Sequence, residues 1–542
     1  MSKVVLVHPP ADLSSLYSNL SSGGSELPPL GLCYLASQLR KNNFEVSIVD
    51  CQTLRLNIDS SVKEILKESP QFIGLSSYTP SIYTTAKLAL RLKESAPQIP
   101  IIIGGGHITS QPLETMERFP QFDLGVIGEG EETIVELLQT LSRNSMNSSI
   151  GHKCPPTSSS NSKNSINSTN SVNSIELSEA LKNIKGLVVR LSAVHRGQRS
   201  VKVSKCQSVK KWEVGSEKWG VKESRELLKL TPKRAYIKNL DSLPLPAWDL
   251  LPFLPKHYFP PADSIKRFPV GSLITSRGCP GKCIFCNLTI FGHICRSHSV
   301  DYIMEMIYDL KRRFKVKELS FVDDTFFLHK GILGKMCERL ITEKLNLSWS
   351  CYARVDLVEE ELLSLMKKAG CWQIAYGLET GSQKILDFTK KGITLSQIEQ
   401  GVRLTHKAGI KVRGLFMLGN FLETKETIKE TIDLIKRLNL SDFHMTYFTP
   451  FPGSLSYKMA KDYGEFDPSW ENLRFFTPSF IPRDLKREEL EYYYKLIYKI
   501  FYLRPKIIWY YLKKLKNKKV MMKLLSSAWA LLKFVFARSV KR

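Results

Sequence analysis

Ser276-Arg277-Gly278-Cys279-Pro280-Gly281-Lys282-Cys283-Ile284-Phe285-Cys286 carries three cysteines at the spacing C-x3-C-x2-C. Thiolates are the ligands of iron–sulfur clusters, and a short loop of this spacing wraps three of them around one face of a cubane. A [4Fe–4S] cluster held wholly by protein needs a fourth thiolate. Three leave one iron open to a substrate or cofactor. The run before the first cysteine, residues 271–276, reads as a buried strand entering a loop. Gly278, Pro280 and Gly281 let the backbone fold tightly beside the metal. Zinc is the competing reading, because Cys295, His293 and His298 lie near enough in sequence to complete a set of four ligands.

Working outward, the chain of 542 residues is long enough for two or three domains with full cores. Eleven cysteines over that length are too sparse for a disulfide framework, which points to a reducing cytoplasm. Met1-Ser2-Lys3 runs straight into a short strand at 4–7, with no leader pattern. The net charge of +26 suits an acidic partner, either nucleic acid or an anionic membrane surface, and charge alone does not choose.

Residues 1–141 alternate apolar strands with helical spacing, which predicts a doubly wound parallel sheet. Ligands of such sheets sit beyond the carboxyl ends of the strands. Here those ends carry His8, Ser76, the run Gly104-Gly105-Gly106-His107, and Gly128-Glu129-Gly130-Glu131. Residues 142–267 break the pattern, apart from a short return to strand at 186–190. They include a Ser/Asn-rich low-complexity stretch at 158–171, too polar to form a core, and a proline-stiffened linker at 240–250. From 268 to 455 strand and helix alternate again, predicting a partial (β/α)6 barrel open on one side. Barrel chemistry gathers at the carboxyl ends of the strands. Those ends hold the cysteine loop, Asp323, Asp324, Arg354, Glu379, Gly419 and Glu423. For each acidic residue and for Arg354, a helix cap or a surface ion pair is the alternative reading.

Residues 456–542 read as a helical, basic C-terminal region. From 504 to 542 there are twelve Lys or Arg and no Asp or Glu, interleaved with Trp509, Trp529, Phe534 and Phe536. A basic amphipathic helix of this kind suits peripheral contact with an anionic membrane, here the inner face. The alternative is a helix packed on the barrel with a basic solvated face. Lys523 and Lys533 speak against a spanning helix.

The cysteine spacing, with Phe285 just before the third cysteine, resembles the signature of the radical S-adenosylmethionine (SAM) enzymes. The glycine loops at 104–109 and 128–133 resemble the cobalamin-binding domain found ahead of many of their barrels. The 240–250 connector and Pro450-Phe451-Pro452-Gly453 also match the group that includes the anaerobic magnesium-protoporphyrin ester cyclase and cobalamin-dependent radical SAM methyltransferases. The resemblance implies a [4Fe–4S] cluster on Cys279, Cys283 and Cys286, SAM on its open iron, and cobalamin. It implies that Asp323 and Asp324 lie at the methionyl amine, Arg354 at the carboxylate, and Glu379, Gly419 and Glu423 around ribose and adenine. His8, Ser76, Gly105, His107, Gly128, Glu129 and Gly130 would line the cobalamin site. It further implies a small-molecule or lipid substrate and an electron donor such as flavodoxin or ferredoxin. Methylation of an unactivated carbon is the first expected activity, with oxidative cyclisation and a non-catalytic corrinoid- or cluster-binding sensor as alternatives. Two departures stand out. Phe421-Leu422 replaces the Pro-Gly common before the last Glu-Thr, and no Asp-x-His-x-x-Gly places a histidine on cobalt.

Overall fold

The computed structural model describes residues 2–10, 27–150, 177–190, 210–214, 217–221, 228–252, 254, 257–258 and 265–514. The low-complexity stretch 158–171 and the tail from 515 lie outside the described residues. Contacts divide the chain into two compact units. The first comprises 1–10, 31–237 and 243–250, and the second 11–30, 238–242 and 251–542.

The first unit is built on strands β1 (Lys3–His8), β2 (Glu45–Asp50), β3 (Phe72–Ser76), β4 (Ile101–Gly104) and β5 (Leu124–Val126), in the order β2-β1-β3-β4-β5. All are parallel. Their apolar runs are buried on both faces, as in Val4, Val5, Leu6 and Val7 of β1, which is what a sheet flanked by helices on both sides requires. The sheet continues past the expected boundary at 141. Strand β6 (Leu187–Arg190) adds antiparallel to β5. A separate hairpin, β7 (Lys210–Val214) with β8 (Glu217–Val221), precedes β9 (Leu228–Leu230), which pairs with β6. Trp248 of the 240–250 connector is also buried in this unit.

The second unit contains six parallel strands in sequential order: β10 (Val270–Leu273), β13 (Glu318–Phe321), β14 (Ser348–Ala353), β15 (Cys371–Glu379), β16 (Lys411–Leu418) and β17 (Asp442–Tyr447). Between the first two lies a short antiparallel ribbon, β11 (Ser276–Arg277) with β12 (Arg296–Ser297). Helices separate the later strands, as the alternating pattern predicts. The amino end of the barrel is closed by polar side chains. Glu318, fully buried, accepts from Ser348 Oγ at 2.8 Å and Trp372 Nε1 at 3.1 Å. Arg413 pairs with Asp442 at 3.0 Å. Charges there brace the floor and leave the carboxyl end for chemistry. No helix among the described residues is long and apolar enough to cross a membrane.

Candidate active site

The cysteine loop follows β11 at the carboxyl end of the barrel's first strand. Gly278 turns the chain at φ +92°, and its N–H donates to Asp324 Oδ2 at 3.3 Å. Thr325 Oγ1 donates to Cys279 Sγ at 3.0 Å, and Gly281 N–H reaches the same sulfur at 3.4 Å. Such donors stabilise a thiolate. Ile284 anchors the middle of the loop. Its N–H donates to the Thr389 carbonyl at 3.0 Å, and its carbonyl accepts from Ser456 N–H at 2.8 Å. Its side chain enters a buried cluster with Phe421, Phe448 and Phe480, against which Phe285, Phe388 and Tyr463 pack. Backbone bonds and aromatic packing therefore brace the middle of the loop.

The thiols are poised unequally. A hydrogen bond from Cys286, aided by the positive charges of Lys391 and Arg354, holds the Cys283 thiol below its ordinary value. The same bond pushes Cys286 well up. Among the described residues no three His, Cys, Asp or Glu side chains converge on one point to grip a single ion. The zinc reading loses its ligands individually. Cys295 bonds Ser276 and is raised to about 11 by burial. His298 is buried, bonded to Asp241 at 3.0 Å and stacked on Tyr302 at 4.1 Å. His293 faces solvent. Three thiols spread along a preformed loop fit a polynuclear cluster, in which each sulfur takes its own iron.

Asp323 ends β13 in the barrel interior. Its Oδ1 accepts from Thr275 N–H at 2.9 Å, Thr275 Oγ1 at 2.7 Å and Ser276 Oγ at 2.7 Å. Its Oδ2 is buried without a hydrogen-bond partner. A buried orphan carboxylate oxygen is costly unless a donor arrives, and an ammonium such as that of SAM fits the vacancy in its bonding. Burial raises this carboxyl to about 6, with the hydroxyl and backbone donors pulling the other way.

Arg354 follows β14. Asp356 grips its Nε and Nη2 at 3.1 and 3.0 Å, and Nη2 also donates to the Lys391 carbonyl at 3.0 Å. Its Nη1 comes within 3.9 Å of where a Cβ on Gly281 would stand, beside the cysteines. Glu379 closes β15 and pairs with Lys391 at 2.6 Å. Lys391, Asp356, Thr325 and Thr275 are members of this site that sequence reasoning passes over. Lys390-Lys391-Gly392 after a helix looks like a solvated charged turn, so composition gave no sign of Lys391.

Glu423 stands apart from this group. Both its oxygens brace its own loop: Oε2 accepts from Gly419 N–H at 3.1 Å and Asn420 N–H at 3.3 Å, and Oε1 from Thr427 Oγ1 at 2.7 Å. Gly419 is a turn residue at φ +87° packed on Leu490. For Glu423 the loop-capping alternative is therefore what the bonds display.

In the first unit, the order β2-β1-β3-β4-β5 reverses direction between β1 and β3, and doubly wound sheets bind ligands at that switch point. His8 and Ser76 end those two strands. His8 is tied sideways, to Asp50 Oδ1 at 3.0 Å and to Gln52 Nε2 at 3.0 Å. Gly105, at φ +103°, allows close approach of Ser77, whose carbonyl oxygen would lie 2.6 Å from an added Cβ. His107 is fully buried and bonds Thr79 Oγ1 at 3.0 Å. Gly128, at φ +78°, faces open space with nothing within 4 Å of an added Cβ, as a cradle for a flat ligand requires. Glu129 and Gly130 act inside the fold. Glu129 is buried and accepts the Ile237 N–H at 2.8 Å, and Gly130 packs on Leu35.

Comparison with known proteins finds a family for each of the two sheets. Residues 19–138 match the B12 binding domain, and residues 273–435 match the radical SAM superfamily. An uncharacterised methyltransferase of Pyrococcus horikoshii is 30% identical over 521 residues, covering 93% of this chain and 94% of that protein. The anaerobic magnesium-protoporphyrin IX monomethyl ester cyclase of Rubrivivax gelatinosus is 26% identical over 496 residues, 90% of this chain and 75% of that one. The solved structure of the cobalamin-dependent SAM radical enzyme OxsB, with aqua-cobalamin and SAM bound, superposes with a TM-score of 0.67 at 17% identity, covering 99% of this chain and 72% of that chain. The fold, the three-thiol loop and the full-length likeness agree, and the chain belongs to the radical SAM enzymes that carry a cobalamin-binding domain.

Proposed function

We propose that this enzyme methylates an unactivated carbon of a small-molecule substrate. Its cofactors are a [4Fe–4S] cluster, SAM and cobalamin. When bound, the cluster supplies the electron for reductive cleavage of SAM, and cobalamin supplies the methyl carrier. The observation that carries the reading is the presence on one chain of a loop with three thiols and a glycine-lined crevice at a sheet switch point.

The chain's own residues hold and orient. Cys279, Cys283 and Cys286 would hold the cluster, and Thr325 and Gly281 donate to the first of these sulfurs. Asp323 Oδ2, buried without a partner, would accept from the methionyl ammonium. A cation there favours the ionised carboxylate, offsetting the rise caused by burial. Arg354 Nη1 would meet the methionyl carboxylate, with Nε and Nη2 held by Asp356. The aromatic cluster beneath Ile284 excludes water from one side of the loop. Ser76, Gly105 and Gly128 present the crevice to the corrin. An external one-electron donor of the flavodoxin or ferredoxin kind completes the system.

The test is an anaerobic assay of reconstituted full-length chain with isotopically labelled SAM. Methionine and 5′-deoxyadenosine are expected, with S-adenosylhomocysteine formed alongside and the label in product. With cobalamin supplied unmethylated and many turnovers followed, deoxyadenosine and an oxidised product without S-adenosylhomocysteine and without label in the product would replace methylation by cyclisation.

A further inference from the structure

Two ion pairs flank the cysteine loop. Lys391 Nζ stands 2.6 Å from Glu379 Oε1, with side chains only 9% and 13% exposed. Arg354 pairs with Asp356 at 3.0 Å, and the Lys391 carbonyl joins the pairs by accepting from Arg354. Gly377 makes room for the first pair: a Cβ there would lie 2.6 Å from Glu379 Oε1 and 3.0 Å from Lys391 Nζ. Glu379 itself has φ +63°, and the register between β15 and β16 shifts between Gly377 and Glu379. A side-chain-bearing residue in that region is strained by roughly 1–3 kcal/mol. A buried ion pair adds little stability, because desolvation offsets its attraction. Strain, a required glycine and a buried pair therefore meet at a place where folding alone gains little. What lies beside them is the cysteine loop: the Thr389 carbonyl, two residues before Lys391, accepts the Ile284 N–H at 3.0 Å, and Arg354 Nη1 and Cys283 Sγ stand 3.9 and 3.8 Å from where a Cβ on Gly281 would be.

We propose that Lys391 is a positioning residue that sets the reduction potential of the cluster on Cys279, Cys283 and Cys286, with Glu379 as its counter-charge. Reduction adds one electron to the cluster. A cation nearby in a water-poor site stabilises the reduced state and raises the potential, and a carboxylate does the reverse. Lys391 and Glu379 together hold the couple between those limits. The inference rests on the cluster assignment and not on methyl transfer.

The experiment is an EPR-monitored redox titration of the full chain, purified and reconstituted anaerobically, without SAM or substrate. Lys391→Met leaves Glu379 facing the cluster, and its midpoint moves lower than wild type. Glu379→Gln leaves Lys391 unbalanced, and its midpoint moves higher. The double variant returns toward wild type, and Lys391→Arg, which keeps the charge, stays close to it. Coincident midpoints for the two single variants would overturn the proposal. Equal loss of iron in Lys391→Met and Lys391→Arg would do so too, since shape rather than charge would then be at stake. Iron content and visible absorbance of the wild type are read in the same preparation, so a failure of the cluster assignment itself is seen separately.

Discussion

At Gly278 an added Cβ would stand 2.4 Å from the Ile294 carbonyl oxygen, on a backbone already at φ +92°. Gly278→Ala must therefore shift the entry to the cysteine loop, at a strain of about 1–3 kcal/mol. Iron bound per chain should fall sharply, while Gly331→Ala, where nothing lies within 4 Å of the new Cβ, should leave it unchanged. Equal iron in both would show that the loop tolerates the shift. His107 gives a pH effect in the first unit. Burial, with Arg118 adding to it, lowers this imidazole to about 3, from an ordinary value near 6.5. The folded value is the depressed one, so the unfolded chain binds the extra proton. Stability is full above about pH 6.5 and is lost as pH falls toward 3. By pH 5 the loss is about 2 kcal/mol. His107→Gln should flatten that slope in urea unfolding of cobalamin-free protein between pH 7 and pH 5, and an unchanged slope would refute the assignment. At this scale the sequence yields the ligands but not their supports. Cysteine spacing is a local pattern and can be read directly. The Lys391–Glu379 pair joins the end of β15 to the turn after the next helix, and the Glu129–Ile237 bond spans a long stretch of chain, so neither leaves a local trace.

Helices and strands were legible wherever periodicity was strong. Both parallel sheets follow from apolar runs spaced by helical patterns. The short apolar run at 186–190 reads as a strand and is β6, whereas β9 was harder to place, because it has three residues in a basic stretch without periodic signal. The departure at Phe421-Leu422 has a structural reason. Phe421 is 3% exposed and packs on Tyr463 at 4.8 Å, Phe448 at 5.0 Å and Phe480 at 5.2 Å, in the same cluster that receives Ile284. The segment after β16 thus supports the cysteine loop by packing, a role that Pro-Gly would not fill. Phe421→Ala should lower stability by about 3–5 kcal/mol and release iron faster in air. Phe421→Leu should recover most of both, because volume-conserving changes disturb a core least. An air-stability of the cluster identical in all three proteins would separate this packing from the loop.

For the molecule as a whole, the connection that leads out of the first unit's parallel strands is a place where change is tolerated. The connection from the helix Glu131–Ile150 to β6 carries the Ser/Asn-rich stretch 158–171, whose composition offers little apolar area to bury. The sheet does not depend on it locally. Strand β6 is fixed by pairing Leu124 with Val189 and Val126 with Leu187, and by the Thr231 Oγ1 that accepts from Leu187 N–H at 2.8 Å. Removing 158–171 roughly halves the chain between the helix and the next described residue. Loop-closure entropy changes by about 0.6 kcal/mol for such a halving, in the stabilising direction for a connection still long enough to span. The deletion variant should therefore bind cobalamin, assemble a cluster and cleave SAM as the full chain does. Cys283→Ala should lose the brown cluster absorbance and SAM cleavage together while still binding cobalamin, since the crevice belongs to the other unit. The pair of measurements is decisive because each variant is the other's control. Loss of cobalamin binding in the deletion variant would mean that the polar stretch contributes to the crevice. Loss of it in Cys283→Ala would mean that the two sites are not independently folded.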